Sequence, residues 1–260
     1  MIAPETSSSL DRFAENGFAV VPVERRDVLD DLRRAIFEHA KTLVPYRGES
    51  IDDFLNGFHR YELKSTDLNA FRLALVDFMS TKLDVAQSIL DAFGGSIRAL
   101  VGPDIATQKV VNIVVQQPGD ADQVPIHRDA PSNSHFELIV WLPLVDCYGT
   151  KSMFAMKRDD TAAGLAMLQD GKSFKDFSGH ALERGIDLSV RYGEAFFFSA
   201  GLYHGCKVNL EPETRWSLNM RYKNLFSPYG PKGLAEFFRV LELSPLTKVG
   251  FAFEDQEFGR

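Results

Sequence analysis

The chain has 260 residues and a mass of 29.2 kDa, with 45% apolar and 25% charged residues, the balance of an ordinary globular protein with room for one large domain. A net charge of -7 argues against a nucleic-acid partner, which calls for a basic stripe, and no apolar run approaches the roughly 20 residues of a membrane span. Cys147 and Cys206 are the only cysteines and form no CxxC pair, which argues against a disulfide scaffold and a cysteine-zinc cluster.

The N-terminus, MIAPETSSSLDRF, lacks the basic-then-apolar order of a signal peptide, so a cytoplasmic location is expected. SSSLDRFAENGFAVVPV reads as a short helix capped by Ser9 and stopped at Gly17, followed by a strand. From Arg25 to Leu43 the apolar positions Val28, Leu29, Leu32, Ile36, Phe37, Ala40 and Leu43 recur at helical spacing. A turn-rich stretch, VPYRGESIDDFLNGFHRYE, follows. Helical patterning then runs from about Thr66 to Phe93, with a stop predicted at Gly94-Gly95.

After Gly102-Pro103 the character changes. QKVVNIVVQQPGD, PIHRDA, HFELIVWLPLVD, SMFAMK, EAFFFS, LYHGCKV and RWSLNMRYKN are short runs rich in β-branched and aromatic residues, separated by Gly, Pro, Asp and Asn. Their succession predicts a sandwich or barrel of antiparallel sheets. The polar stretch 158–187 interrupts them, and a connection of that length is expected to act as a lid. The fold expected is therefore mainly β with outer helices. It is one domain over 1–260: a mostly helical layer (1–104), a β core (105–228) and a C-terminal extension (229–260).

Of six histidines, His39 falls on the amphipathic helix and His180 in the polar interruption, where surface or capping roles are expected. His127 and Asp129 stand two apart in an extended run, so their side chains share a face. His204 enters a strand 75 positions beyond Asp129. Two imidazoles and one carboxylate cover one face of an octahedral metal and leave the opposite face open, the arrangement of non-heme Fe(II) oxygenases. A lone HxD is a weak signal, because such tripeptides arise often as surface pairs.

Eleven residues after His204, RWSLNMRYK alternates completely. Arg215, Ser217, Asn219, Arg221 and Lys223 share one face; Trp216, Leu218, Met220 and Tyr222 share the other. The polar face is either a solvated outside or the interior of a barrel, where Arg215 would grip a carboxylate and Ser217 add a donor. Asn112 and Gln116 share a face of QKVVNIVVQ and are candidate pocket groups. Arg128 alternates away from the metal face beside the opening, and His135 follows Asn133 in a turn at its mouth. Arg221 lies six residues beyond Arg215, roughly 20 Å along a strand. That is too far to grip the same carboxylate, which leaves it a substrate-side or salt-bridge role. Trp141 and Phe196-Phe197-Phe198 are expected in the core.

His127-Arg128-Asp129, then His204, then Arg215-Trp216-Ser217 resembles the HxD…H…RxS signature of Fe(II)- and 2-oxoglutarate-dependent dioxygenases over roughly residues 105–228. The N-terminal GFAVVPV strand and the helix before the core are similar to the phytanoyl-hydroxylase-like branch. WLPLVDCYGTKSMF looks like oxygenases of bacterial carbohydrate-biosynthesis clusters, although YGTKS stands where many phytanoyl-type members carry Asn-Gly. The resemblance implies a double-stranded β-helix, a jelly-roll or cupin-like core. It implies Fe(II) on His127, Asp129 and His204, and 2-oxoglutarate held by Arg215 and Ser217. It also implies dioxygen and a small-molecule or carbohydrate-related substrate, with hydroxylation as the default outcome. Two alternatives stay open: a cupin-like metal enzyme without a keto-acid co-substrate, such as a sugar isomerase, and a non-catalytic jelly-roll module that binds carbohydrate. The last requires the polar face of RWSLNMRYK to be exposed.

Overall fold

A computed structural model describes residues 8–120 and 125–258. The leader segment read as free of a signal peptide lies largely outside them, as does Val124. Helix α1 (Ser9–Asn16) is capped by Ser8, not Ser9: the Asp11 N–H donates to Ser8 Oγ (3.1 Å), and the Asp11 carboxylate accepts from the Ser8 N–H in return. Of the neighbouring serines, Ser8 is the one three residues before an acid, which completes the reciprocal box. Gly17, with φ at +81°, ends the helix, and β1 (Phe18–Pro22) follows.

Helices α2 (Arg26–Ala40) and α3 (Ile51–Asn56) lead to α4 (Ser65–Lys82) and α5 (Val85–Val101). The turn-rich stretch therefore contains a short helix, and the expected stop at Gly94-Gly95 does not occur. The backbone kinks at Phe93 and the helix restarts. The Glu24 carboxylate accepts from the Gly95 N–H (2.8 Å), the Ser96 N–H (2.9 Å) and the Ser96 hydroxyl (3.0 Å), satisfying donors that a helix start leaves open. A Cβ on Gly95 would stand 3.0 Å from that carboxylate, so the glycine makes room for the cap. The signal that reads locally as a stop is a splice made by a residue 71 positions away.

The strands are β2 (Ile105–Gln108), β3 (Asn112–Gln116), β4 (Leu138–Pro143) and β5 (Met153–Ala155). After two helices come β6 (Ile186–Asp187), β7 (Glu194–Ser199), β8 (His204–Cys206), β9 (Arg215–Asn224) and β10 (Phe238–Glu242). The polar stretch 158–187 is mostly α6 (Arg158–Gln169) and α7 (Phe174–Arg184), and α8 (Pro245–Phe258) closes the described chain. Helices take more residues than strands, so the fold is helix plus antiparallel sheet and not mainly β. No helix among the described residues is long and apolar enough to cross a membrane.

One sheet runs β1-β7-β4-β9-β2-β10, with β3 also on β9; the other runs β6-β5-β8. Every pair of these strands is antiparallel among the described residues. Residues after 229 thus contribute a strand, β10, to the larger sheet. The apolar face of β9 packs on the helical layer: Trp216 meets the rings of Phe58 (5.0 Å), Phe71 (5.8 Å) and Phe54 (6.4 Å), and the Tyr222 hydroxyl donates to the Ala86 carbonyl (2.8 Å). Burying such large rings is the main stabilising contribution of this layer. The register carries the alternation across the sheet. Phe196 and Phe198 of β7 lie on the side of Trp141, Asn219 and Arg221, whereas Phe197 turns outward to Phe93 (5.9 Å). All three phenylalanines and Trp141 are buried, as expected.

Candidate metal centre

His127 belongs to no long strand. It forms an isolated antiparallel bridge with His204, each N–H donating to the other's carbonyl (2.9 and 3.0 Å), and this brings the two rings to 4.3 Å. The chain then turns immediately. Asp129 has helical torsions and starts a short 3-10 turn at 130–132, and its carbonyl accepts from the Asn133 side chain (3.0 Å). Even so, one nitrogen of each histidine and one carboxylate oxygen of Asp129 lie within 4.8 Å of one another.

Each ring is oriented by the same local device. His127 Nδ1 lies 2.8 Å from the Pro125 carbonyl, and His204 Nδ1 lies 3.0 Å from the Leu202 carbonyl. A carbonyl only accepts, so both Nδ1 atoms carry the proton and both Nε2 atoms present bare lone pairs. Phe198 packs edge-on against His204 at 4.7 Å. Burial, with the neighbouring His127, pushes the His204 pKa down to about 4, so the ring is neutral at neutral pH. The Asp129 carboxylate raises His127. Burial opposes ionisation of Asp129, but the His127 ring and the Arg221 charge outweigh it and hold the carboxyl well below the usual range.

Arg221 takes the salt-bridge role. Its Nη2 donates to Asp129 Oδ2 (2.8 Å) and its Nη1 to Gln108 Oε1 (3.1 Å), while Nε lies 3.5 Å from the buried Glu137. His127 Nε2 stands 3.5 Å from the other Asp129 oxygen, Oδ1. The arginine therefore occupies one carboxylate oxygen and leaves the second facing the imidazoles.

Arg215 and Ser217 are both 1% exposed, so the polar face of β9 is enclosed. Arg215 Nη1 donates to the Ser152 carbonyl (3.3 Å) and to Cys206 Sγ (3.2 Å). Cys206 stands two residues after His204 on β8, which puts Arg215 on the side of the small sheet that carries the imidazole. Arg215 Nε, Ser217 Oγ, Ser152 Oγ, Gln116 Oε1 and Asn219 Oδ1 are buried without hydrogen-bond partners among the described residues. Buried polar atoms are nearly always satisfied, so this concentration marks a place shaped for a polar guest.

The remaining expected residues divide. Gln116 is buried opposite Arg215 in the register and donates to the Lys207 carbonyl (3.0 Å), whereas Asn112, opposite Asn219, is exposed at the edge. Arg128 turns away from the imidazoles and lies over the Tyr203 ring (5.2 Å). His135 lines a cavity with Arg128, well removed in character from the enclosed polar face. Lys223, at the far end of that face, donates to the Pro228 carbonyl (2.7 Å) over the Tyr229 ring, so it fastens a loop. His39 stacks on Phe78 at 4.0 Å, and His180 is half-buried on α7. Sequence reasoning missed Ser152, Cys206, Gln108 and Glu137. Only Glu137, an acid opening an all-apolar strand, carried a local signal.

No protein-family model matches the sequence, and no curated protein matches it. Solved structures do. A non-heme monooxygenase, ThoJ in complex with nickel, superposes with a TM-score of 0.54 at 13% identity, covering 92% of this chain and 86% of its own. SnoK, a non-heme alpha-ketoglutarate-dependent carbocyclase from nogalamycin biosynthesis, gives 0.53 at 15% identity over 88% and 87%. EctD from S. alaskensis, solved with 2-oxoglutarate and 5-hydroxyectoine, gives 0.55 at 12% identity over 86% and 79%. At such identities the likeness is one of fold: this chain has the fold of non-heme oxygenases.

Proposed function

We propose that this chain is an Fe(II)- and 2-oxoglutarate-dependent oxygenase of the phytanoyl-hydroxylase-like type, acting on a small molecule. Its core is then a jelly-roll, the two sheets facing one another, within a single domain. The observation that carries the reading is a pairing. A His127–Asp129–His204 cluster has its bare ligand atoms converged, and an enclosed arginine and serine with unfilled hydrogen-bonding atoms stand on the same side of the sheets.

The residues fit the groups. Two imidazole nitrogens and one carboxylate oxygen suit a hard-to-borderline divalent ion, and the cluster needs no thiolate. Bound together, Fe(II) and 2-oxoglutarate would supply the electrons that activate dioxygen, the oxidant, for attack on a C–H bond. The chain supplies the rest. The Nδ1–H bonds to Pro125 and Leu202 hold both rings in the ligating tautomer. Arg215 offers a guanidinium to the far carboxylate of the co-substrate, with the Ser217 hydroxyl beside it. Phe196, Phe198, Ile139 and Trp141 line the inner side of the sheet and exclude water.

The enclosure of Arg215 and Ser217 counts against a bare carbohydrate-binding module, which needs that face exposed. It also leaves a keto-acid-free metal enzyme without a use for Arg215. SnoK is named as a carbocyclase of nogalamycin biosynthesis and EctD was solved with 5-hydroxyectoine, which supports a small-molecule substrate. A carbohydrate-related intermediate rests on the likeness of WLPLVDCYGTKSMF. Helices α6 and α7 are the proposed lid.

The test is an anaerobic titration of the metal-free protein with Fe(II) and then 2-oxoglutarate, followed by visible absorption. A weak charge-transfer band that needs both and is lost in His204→Ala is the expected result. Arg215→Ala is expected to retain the metal and lose affinity for 2-oxoglutarate. Absence of any band, with no iron retained, overturns the reading.

A further inference from the structure

Residues 127 and 204 form one hydrogen-bonded bridge, and their imidazoles stand on one side of it. Their neighbours Arg128 and Tyr203 meet on the other, where Tyr203 packs against Phe177 of α7 (4.4 Å). Between this reverse side, α1 and α6 lies a cavity of about 430 Å³, within the size range of small-molecule sites. Phe13, Leu165 and Leu202 make its wall apolar. Arg128, His135 and Arg158 contribute its nitrogen-bearing groups, and none of the described aspartates or glutamates lines it. In a chain of net charge -7 this is a local reversal of sign.

Arg128 is the unusual member. Among the described residues its guanidinium makes no hydrogen bond and no ion pair, and it lies over the Tyr203 ring. The other described arginines without such a side-chain bond, Arg60, Arg184 and Arg191, are exposed, whereas Arg128 is half-buried. Partial burial of an unpaired charge is costly, and one aromatic face offsets only part of that cost. Arg158 donates to the Ala14 carbonyl (3.1 Å), tying α6 to α1 across the cavity. Its one carboxylate partner among the described residues is the exposed Asp159 at 3.2 Å, a pair too solvated to compete strongly with a ligand.

We propose that this cavity is a binding site for an amphipathic organic anion, an apolar body bearing a carboxylate or phosphate, with Arg128 and Arg158 as the anion's partners. The guanidinium fork matches either head group in a two-point contact, and the apolar wall takes the body. The cavity does not include Arg215 or Ser217, and the proposal does not depend on the iron reading.

Isothermal titration of the full chain without added metal or 2-oxoglutarate tests it, using octanoate, octyl phosphate, octanol and octylammonium as probes. One or both anions are expected to bind at least about tenfold more tightly than the alcohol and the amine, as a charge-assisted contact requires. The tighter anion identifies the head group. Arg128→Met and the exposed Arg158→Gln are each expected to weaken that anion by roughly tenfold while leaving the far-ultraviolet circular dichroism unchanged. Failure of both anions to bind at 10 millimolar overturns the proposal. So does equal binding of the neutral and cationic probes, or an affinity indifferent to both substitutions. Because iron is absent throughout, such a failure leaves the test of the metal centre untouched.

Discussion

The two parts of the candidate site are built in opposite ways. Arg215 and Ser217 ride on a ten-residue strand paired on both sides, to β3 and β2 on one and β4 on the other. His127 and Asp129 sit on a segment with one isolated bridge and a 3-10 turn. The strand positions its side chains by ladder geometry, so each residue's direction follows from its parity. The metal segment lacks a ladder, and single contacts must do the positioning: two carbonyls for the rings, Asn133 for the Asp129 backbone and Arg221 for the carboxylate. Order in the first part is collective, and in the second it is itemised. Single substitutions should therefore act differently on the two.

The largest effect on stability is expected from the ladder. Trp216→Ala removes the ring that Phe54, Phe58 and Phe71 surround, and should cost about 3–5 kcal/mol in denaturant unfolding. A loss below about 1 kcal/mol would show that the helical layer does not depend on that contact. His204→Ala deletes one proposed ligand and should lower Fe(II) affinity by about a hundredfold or more, on the scale at which ligand-shell changes act. Its far-ultraviolet spectrum should remain that of the parent.

Arg221→Met sharpens the comparison, because it changes one of those single contacts and none of the proposed ligands. Freed of the arginine, Asp129 should hold metal roughly tenfold less tightly, and Arg221→Lys should restore part of the loss. Equal affinity in all three proteins, measured with Co(II) by its d–d absorption, would make Arg221 a purely structural residue.

The smallest effect belongs to Glu24→Gln, which should cost about 1 kcal/mol as a lost helix cap. Burial raises the Glu24 pKa, but the Gly95 and Ser96 N–H bonds outweigh it, so the folded value lies below the unfolded one. The associated stability is present above the unfolded pKa and is lost as pH falls through the folded value. Parent and variant should therefore converge in thermal melts only once the pH has fallen below the ordinary glutamate range. A gap that persists unchanged into acid would show that Glu24 does not stabilise through its charge.

What was legible in the sequence follows the same division. The β9 alternation was complete over nine residues, and both of its faces went where parity put them. The His-Asp-His set was readable as residue types, because a metal needs those donors whatever the backbone does. The contacts that hold it were not readable: Arg221 meets Asp129 across 92 positions, and Glu24 meets Gly95 across 71. Nothing in the local text of either partner marks the other. The three phenylalanines of β7 show the remaining limit. They form an unbroken apolar run, so parity could not assign a face until the register placed Phe197 apart from its neighbours.

The central place of β9 has a consequence for how the chain is made. Its partners β2, β3 and β4 are synthesised first, and none can complete its pairing until β9, residues 215–224, has been made. Through that interval β4, Leu-Ile-Val-Trp-Leu-Pro, offers one unpaired and wholly apolar edge to whatever is nearby. Such non-local closure slows folding. Yield from a fast expression host should accordingly depend on temperature and on chaperone supply far more than on the iron content of the medium.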